Sequence, residues 1–165
     1  MRVVIVGGGS LGYHLALSML NKDYEVNLIE KDKNRCSQLA NLLDAEVICG
    51  DGTEIEVLAD AITGKVDCFI AVTNKDQDNL VASQLAQKRF QIKKVITRAN
   101  NPGNLEALRK LGMTNAVCST ELITRLIEQE LDSAGGRLIA SLNKGRAAIC
   151  ELQVLKDSKV VGQSL

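Results

Sequence analysis

Aromatic side chains are scarce in this sequence of 165 residues: they make up 2% of it, and tryptophan is absent. Because 45% of the residues are nevertheless hydrophobic, we expect a core built from aliphatic side chains. The sequence also lacks an excess of charge of either sign, since 20 basic residues balance 20 acidic ones. Surfaces that bind DNA or RNA usually carry a basic excess or stacking aromatics. The composition therefore predicts no nucleic-acid partner.

Metal ligands are equally sparse. His14 is the only histidine and is expected to be a surface or packing residue, and the five cysteines contain no C-x-x-C pair. We therefore predict neither a metal site nor a disulfide framework, and we expect the cysteines to be small buried side chains in a reducing compartment. No signal-peptide pattern and no run of about twenty apolar residues occurs, so direct membrane insertion is not expected.

The most informative stretch is the first thirty residues. An apolar run, Val3 to Val6, leads into Gly7, Gly9 and Gly12 at the spacing G-x-G-x-x-G, and after a helical pattern a second apolar run ends at Glu30. This order predicts a strand, a turn, a helix and a second strand that bind a dinucleotide. The glycines would permit a tight turn, the approach of a pyrophosphate and close helix packing, and Glu30 would accept ribose hydroxyls. The alternative is a glycine turn needed only for packing.

Six apolar runs alternate with helical patterns, which predicts a doubly wound, six-stranded parallel sheet, a Rossmann-like α/β fold. In the second helix, Leu39, Leu42 and Leu43 are expected to face inward. We assign residues 1–134 to this domain. Residues 135–165 are interpreted as a hinge at Gly135-Gly136 followed by an arm or the start of a truncated C-terminal subdomain.

Polar residues follow five of the predicted strands, at the edge where ligands bind in such sheets. They are Gly7–Gly12, Glu30, Asp51, Thr73 with Asn74, and Arg98. Some have structural interpretations as well. Asp51 and Thr53 could cap a helix. Three further residues are interpreted as first-turn residues that complement a helix dipole: Asp76, Asp78 and Asn79.

The chain resembles the N-terminal nucleotide-binding domain of TrkA-type potassium-uptake regulators, also called the RCK or KTN domain. The resemblance covers residues 1 to about 132. It rests on the glycine fingerprint, Gly50-Asp51-Gly52-Thr53, the block from Ala71 to Asn79, Thr97-Arg98-Ala99 and Ser119-Thr120-Glu121. The Gly-Asp-Gly-Thr block together with Ala-x-Thr-x-x-Asp-x-x-Asn is its specific part.

The resemblance implies a cytoplasmic regulatory domain, peripheral on the inner face of the cell membrane, that binds NAD(H) or an adenine nucleotide and gates a membrane potassium transporter or channel. It also implies a homodimer or larger ring that pairs through the last helix, Ser119 to Asp132. The implied binding residues are Gly7, Gly9, Ser10, Leu11 and Gly12 at the phosphates, Glu30 at the ribose with Lys31 beside it, Asp51 and Thr53 at the adenine end, Thr73 and Asn74 along the cleft, and Arg98 at a phosphate or a neighbouring subunit.

NAD(H) is the favoured ligand, with ATP or ADP as the second candidate. Some ATP-favouring members of the family carry a basic residue where this chain has Ser10, and Glu30 would repel the 2′-phosphate of NADP(H), an effect softened by Lys31. The alternatives are an NAD-dependent oxidoreductase and a nucleotide-sensing module for another transporter. Catalysis is disfavoured because no nucleophile–base pair is visible and the 33 residues after Asp132 are too few for a substrate domain.

Overall fold

A six-stranded parallel sheet is the centre of the computed structural model, which describes residues 1–131, 137–142 and 147–151. The strands are β1 (Arg2–Val6), β2 (Glu25–Glu30), β3 (Glu46–Cys49), β4 (Cys68–Ala71), β5 (Val95–Ala99) and β6 (Ala116–Cys118). Their spatial order is β3-β2-β1-β4-β5-β6. The order reverses between β1 and β4, as in doubly wound sheets, so the predicted Rossmann-like fold is confirmed.

Helices follow the strands in turn. They are α1 (Ser10–Leu20), α2 (Lys33–Leu42), α3 (Ile55–Ala61), α4 (Asp76–Lys88), α5 (Leu105–Lys110) and α6 (Ser119–Leu131). A 3-10 turn, Pro102–Asn104, precedes α5, because the fixed φ of proline suits the first position of a helical turn. The side chain of Asp32 begins α2 by accepting a hydrogen bond from the backbone N–H of Arg35 at 2.7 Å. None of the described helices is both long and apolar enough to cross a bilayer.

The core has a layer on each face of the sheet, because alternate residues of a strand point to opposite faces. Val4 and Val6 of β1 pack on one face with residues of α3 and α4, whereas Val3 and Ile5 pack on the other with residues of α1 and α2. Phe69, the one fully buried aromatic residue of the described core, belongs to the first layer. The core is therefore aliphatic, as the composition predicts.

The prediction for α2 is wrong at Leu42, which is 59% exposed, although Leu39 and Leu43 are buried. The buried side chains of this helix and its C-cap residue are Cys36, Leu39 and Leu43, spaced i, i+3 and i+7. This narrow stripe follows from position: α2 contacts β3, an edge strand, and therefore has little sheet to cover. Leu42 lies on the outer flank of the stripe.

Burial also differs among the cysteines. Cys36, Cys68 and Cys118 are buried, as predicted, whereas Cys49 at the end of the edge strand β3 is exposed. The prediction of a buried side chain is therefore wrong for Cys49. Cys118 also ends an edge strand, β6, but it packs in a core cluster with Leu105 and Leu108 of α5, whereas Cys49 belongs to none of the described core clusters.

Beyond the sheet, β7 (Arg137–Leu142) pairs antiparallel with β8 (Ala147–Glu151). The chain divides into two compact units, Met1–Thr120 and Glu121–Leu165. The predicted hinge at Gly135-Gly136 lies outside the described residues.

Candidate functional site

A cleft of about 230 Å³ opens at the carboxyl ends of β1 to β4, within the first compact unit. Its lining combines the floor of the sheet with the loops that follow four strands. Eight of the residues proposed from the sequence line it: Gly7, Gly9, Glu30, Lys31, Asp51, Thr53, Thr73 and Asn74. Ser10, Leu11 and Gly12 belong to the first turn of α1 beside the cleft, and neither they nor Arg98 are part of its lining.

Two glycines of the fingerprint are explained by the fold itself. Gly7 has a φ of +106°, in the region that side chains disfavour. A Cβ on Gly12 would lie 1.8 Å from the carbonyl oxygen of Gly7, so α1 starts in direct contact with the turn. Both residues are needed whether or not a ligand binds.

Gly9 has no such explanation. It precedes α1 with φ −64° and ψ −172°, a conformation open to any residue, and its peptide carbonyl accepts the first helical hydrogen bond, from Tyr13. Apart from the two residues adjacent to it in sequence, a Cβ at this position would meet no heavy atom within 4 Å. The space above Gly9 is part of the cleft.

Glu30 holds the glycine turn against the end of β2. One carboxylate oxygen accepts a hydrogen bond from the backbone N–H of Gly8 at 2.7 Å, and the other accepts from the N–H groups of Lys31 and Asp32 at 2.7 and 2.9 Å. This carboxylate therefore has a structural role in addition to the predicted contact with a ribose. A substitution of Glu30 would alter the shape of the turn as well as any ligand contact.

An ion pair joins the loops after β2 and β3. The ammonium of Lys31 donates to Asp51, and the same carboxylate accepts from the hydroxyl of Thr53 at 2.7 Å and from its N–H at 3.0 Å. The hydrogen bond from Lys31, followed by those from Thr53, lowers the pKa of Asp51 to about 2, and its partner carboxylate raises the pKa of Lys31. Asp51 is thus a charged carboxylate at the cleft wall, held in place by Lys31 and Thr53.

The loop after β4 is fixed by Asn79, which is fully buried. Its side-chain oxygen accepts from the N–H of Thr73 at 2.7 Å, and its amide donates to the carbonyls of Thr73 and Arg98 at 3.1 and 3.0 Å. These bonds hold the end of β4 beside the end of β5. The interpretation of Asn79 as a first-turn residue missed this role.

Asp76 ties the same loop to the one after β5. Its carboxylate accepts from the backbone and side chain of Asn100 at 2.6 and 2.8 Å, and from Asn101 and Asn104 at 3.2 and 2.7 Å. Burial opposes ionisation of this group, but these hydrogen bonds outweigh it and lower its pKa. The asparagine-rich segment that follows β5 was the available signal for this connection.

Two arginines lie around the turn. The guanidinium of Arg35 in α2 donates to the carbonyl of Gly8 at 3.0 Å, a contact that sequence reasoning missed. Arg98 is half-buried, and its Nε is the one buried side-chain nitrogen or oxygen without a hydrogen-bond partner in the described part of the chain. The peptide carbonyl of Arg98 is bound by Asn79, so the strand is fixed while the guanidinium keeps free donors.

The TrkA-N domain family model matches residues 3–119. The chain belongs to the TrkA-N family. Over 163 residues it is 34% identical to a Trk system potassium uptake protein TrkA homolog from Methanothermobacter thermautotrophicus, covering 99% of this chain and 74% of that protein. It is also 34% identical to a TrkA homolog from Archaeoglobus fulgidus, of which it spans 38%. The TrkA-N resemblance seen in the sequence is confirmed.

Solved structures agree on the fold. The TrkA-N domain of the inner membrane protein ybaL from Escherichia coli superposes with a TM-score of 0.71 at 18% identity, over 79% of this chain and 96% of that one. The GsuK channel bound to NAD gives a TM-score of 0.61 at 19% identity, over 70% and 21% of the two chains. GsuK bound to ADP gives 0.68 at 21% identity, over 81% and 34%.

Proposed function

We propose that this TrkA-N domain binds NAD(H) in the cleft at the carboxyl ends of β1 to β4 and thereby regulates a membrane potassium transporter or channel. The observation that carries the proposal is Gly9. Packing and backbone conformation account for Gly7 and Gly12, but nothing in the fold requires glycine at position 9. A pyrophosphate seated over the start of α1 would require it, because a side chain there would occupy the ligand's place.

The start of α1 supplies the chemistry for that seat. Among the described residues, no side chain caps the N-terminus of α1 by a hydrogen bond. The first N–H groups of α1 are therefore available to an anion, and the helix dipole adds partial positive charge. Arg35 adds a cation beside the turn through its contact with Gly8. These features suit a pyrophosphate and do not depend on the base.

The side of the cleft formed by Glu30 favours a nucleotide whose ribose has a free 2′-hydroxyl. Glu30 presents a carboxylate there, and its lone pairs can accept hydroxyl groups in addition to the backbone N–H groups that it already binds. A 2′-phosphate would bring its negative charge next to the carboxylate of Glu30. We therefore assign NAD(H) rather than NADP(H), and the structures of GsuK with NAD and with ADP make ADP or ATP the second candidate.

Calorimetric titration with NAD, NADH, NADPH, ADP and ATP tests the assignment. We expect NAD or NADH to bind with one site per chain, and NADPH to bind at least about tenfold more weakly, which corresponds to about 1.4 kcal/mol. Absence of binding for all five ligands would contradict the proposal. A preference for ATP would transfer the role to the adenine nucleotides.

The regulatory part of the proposal is supported by the relatives, which are named for potassium uptake. A regulator needs no turnover, so NADH consumption should not occur with a panel of aldehydes, or NAD reduction with hydroxy acids. Bound nucleotide would connect the loops after β1 to β4 and favour one arrangement of paired domains. It can do so only through a difference in affinity for the arrangements. A steady turnover with any member of the panel would favour the oxidoreductase alternative.

Pairing is assigned to α6. Four of its apolar side chains are more than half exposed, and they are Leu122, Ile123, Leu126 and Ile127. Such a stripe at helical spacing suits the matching helix of a second copy of this chain. Sedimentation velocity on a Leu126→Ala, Ile127→Ala variant tests this. A dimer should become a monomer, and a dimer that survives both changes would contradict the assignment. The proposed partner in the membrane, a potassium transporter or channel, would place this domain in the cytoplasm at the inner face of the membrane.

A further inference from the structure

Cys36 lies in α2 with its thiol against the end of β2. It is buried, and its sulfur donates to the carbonyl oxygen of Glu30 at 3.1 Å. The N–H of Gly50 donates to the same carbonyl at 2.8 Å. The carbonyl therefore keeps one hydrogen bond whatever happens to the thiol.

Cys49 lies near Cys36 in the neighbouring strand β3, because the Glu30 carbonyl that accepts from the Cys36 thiol also accepts from the N–H of Gly50, the residue after Cys49. In the pairing of β2 with β3 it is the partner of Glu30, whose carbonyl holds Cys36. Val47, two residues earlier, packs with Leu39 and Leu43 on the α2 face of the sheet. Since alternate strand residues share a face, Cys49 is on that face too. It is exposed, so reagents reach it from solvent.

The two thiols differ in their surroundings. Burial is the main cause that raises the pKa of the Cys36 thiol. Cys36 is thus protonated at neutral pH, which suits its bond to the carbonyl, and Cys49 is the more accessible of the two thiols.

We propose that Cys36 and Cys49 form a reversible dithiol–disulfide pair at the rim of the cleft, oxidised by low-molecular-weight disulfides. The Cys49 thiolate attacks one sulfur of the small disulfide, forms a mixed disulfide and expels a thiolate. Cys36 then loses its proton, attacks the Cys49 sulfur and expels the second thiolate. The two protein thiols lose two electrons and two protons, and the small disulfide gains them as two free thiols.

Thiol counting and peptide mapping test the pair. The reduced protein is incubated, folded, with hydroxyethyl disulfide, and then alkylated in denaturant. Titratable thiols should fall from five to three, and the mapped cross-link should join Cys36 to Cys49. Dithiothreitol should restore all five. Because the exchange requires no nucleotide, its failure and the failure of nucleotide binding are separate results.

Single variants separate the two steps. Cys36→Ser keeps a hydroxyl donor for the Glu30 carbonyl and should stop at a stable mixed disulfide on Cys49. Cys118→Ser, the matched control at the opposite edge of the sheet, should still form the cross-link. A wild-type protein that stops at the mixed disulfide, that links any other cysteines, or that keeps all five thiols would overturn the proposal.

Discussion

Replacing Asn79 by alanine should destabilise the domain more than any exposed change in the same loop. The amide makes three hydrogen bonds, one to the N–H of Thr73 and two to the carbonyls of Thr73 and Arg98, and no part of it reaches solvent. Each bond contributes about 1 kcal/mol net. Truncation also removes side-chain atoms from a packed position. We therefore expect the free energy of unfolding to fall by about 3–4 kcal/mol.

Urea denaturation followed by circular dichroism measures this change. Asn74→Ala is the matched control, since Asn74 is an exposed amide in the same loop and should change the free energy of unfolding by less than about 0.5 kcal/mol. The slope with urea should be equal in all three proteins, because the same surface is exposed on unfolding. If Asn79→Ala lost less than about 1 kcal/mol, the reasoning from buried hydrogen bonds would be refuted.

Two further changes test Asp51 in the wall of the cleft and Gly12 beside the cleft. Asp51→Asn keeps the acceptor for Thr53 but removes the charge opposite Lys31. Because the pKa of Asp51 is lowered from 3.8 to about 2, its contribution is complete above pH 3.8 and disappears as the pH falls through 2. With Lys31 66% exposed, solvent screening limits the loss to about 1 kcal/mol near neutral pH. Chemical denaturation near neutral pH, and again below the Asp51 pKa of about 2, should find this loss only near neutral pH. Gly12→Ala places a Cβ 1.8 Å from the Gly7 carbonyl and should cost about 3 kcal/mol or prevent folding, by the same assay; an unchanged midpoint would contradict the close packing of α1.

The six-stranded parallel sheet and the position of the cleft could be predicted because they follow from short-range patterns. Apolar runs separated by helical segments leave few topologies, and polar residues at strand ends meet at one edge. Glu30 was found in the same way, as the acid that ends the second run.

The loop tethers could not be predicted, because their partners are distant in sequence. Asp76 binds Asn100, 24 residues away, and Asn79 binds the carbonyl of Arg98, 19 residues away. Near a helix start, acids and amides have a local capping interpretation, and only the tertiary structure shows that these side chains bind elsewhere. The exposure of Cys49 could not be predicted for the same reason, since both Cys49 and the buried Cys118 end edge strands and only tertiary packing separates them.

Nucleotide binding through the glycine turn is tested most directly by Gly9→Ser. Serine is favoured before a helix, and the space at this position is empty, so the midpoint of unfolding should be unchanged or slightly raised. The hydroxyl would occupy the cleft and compete for the first N–H groups of α1. Loss of a charge-assisted hydrogen bond corresponds to about 1.5–3 kcal/mol. Calorimetric affinity for NADH should therefore fall tenfold or more, by about 1.4 kcal/mol at least. Equal NADH affinity in the wild type and in a folded Gly9→Ser protein would contradict the account.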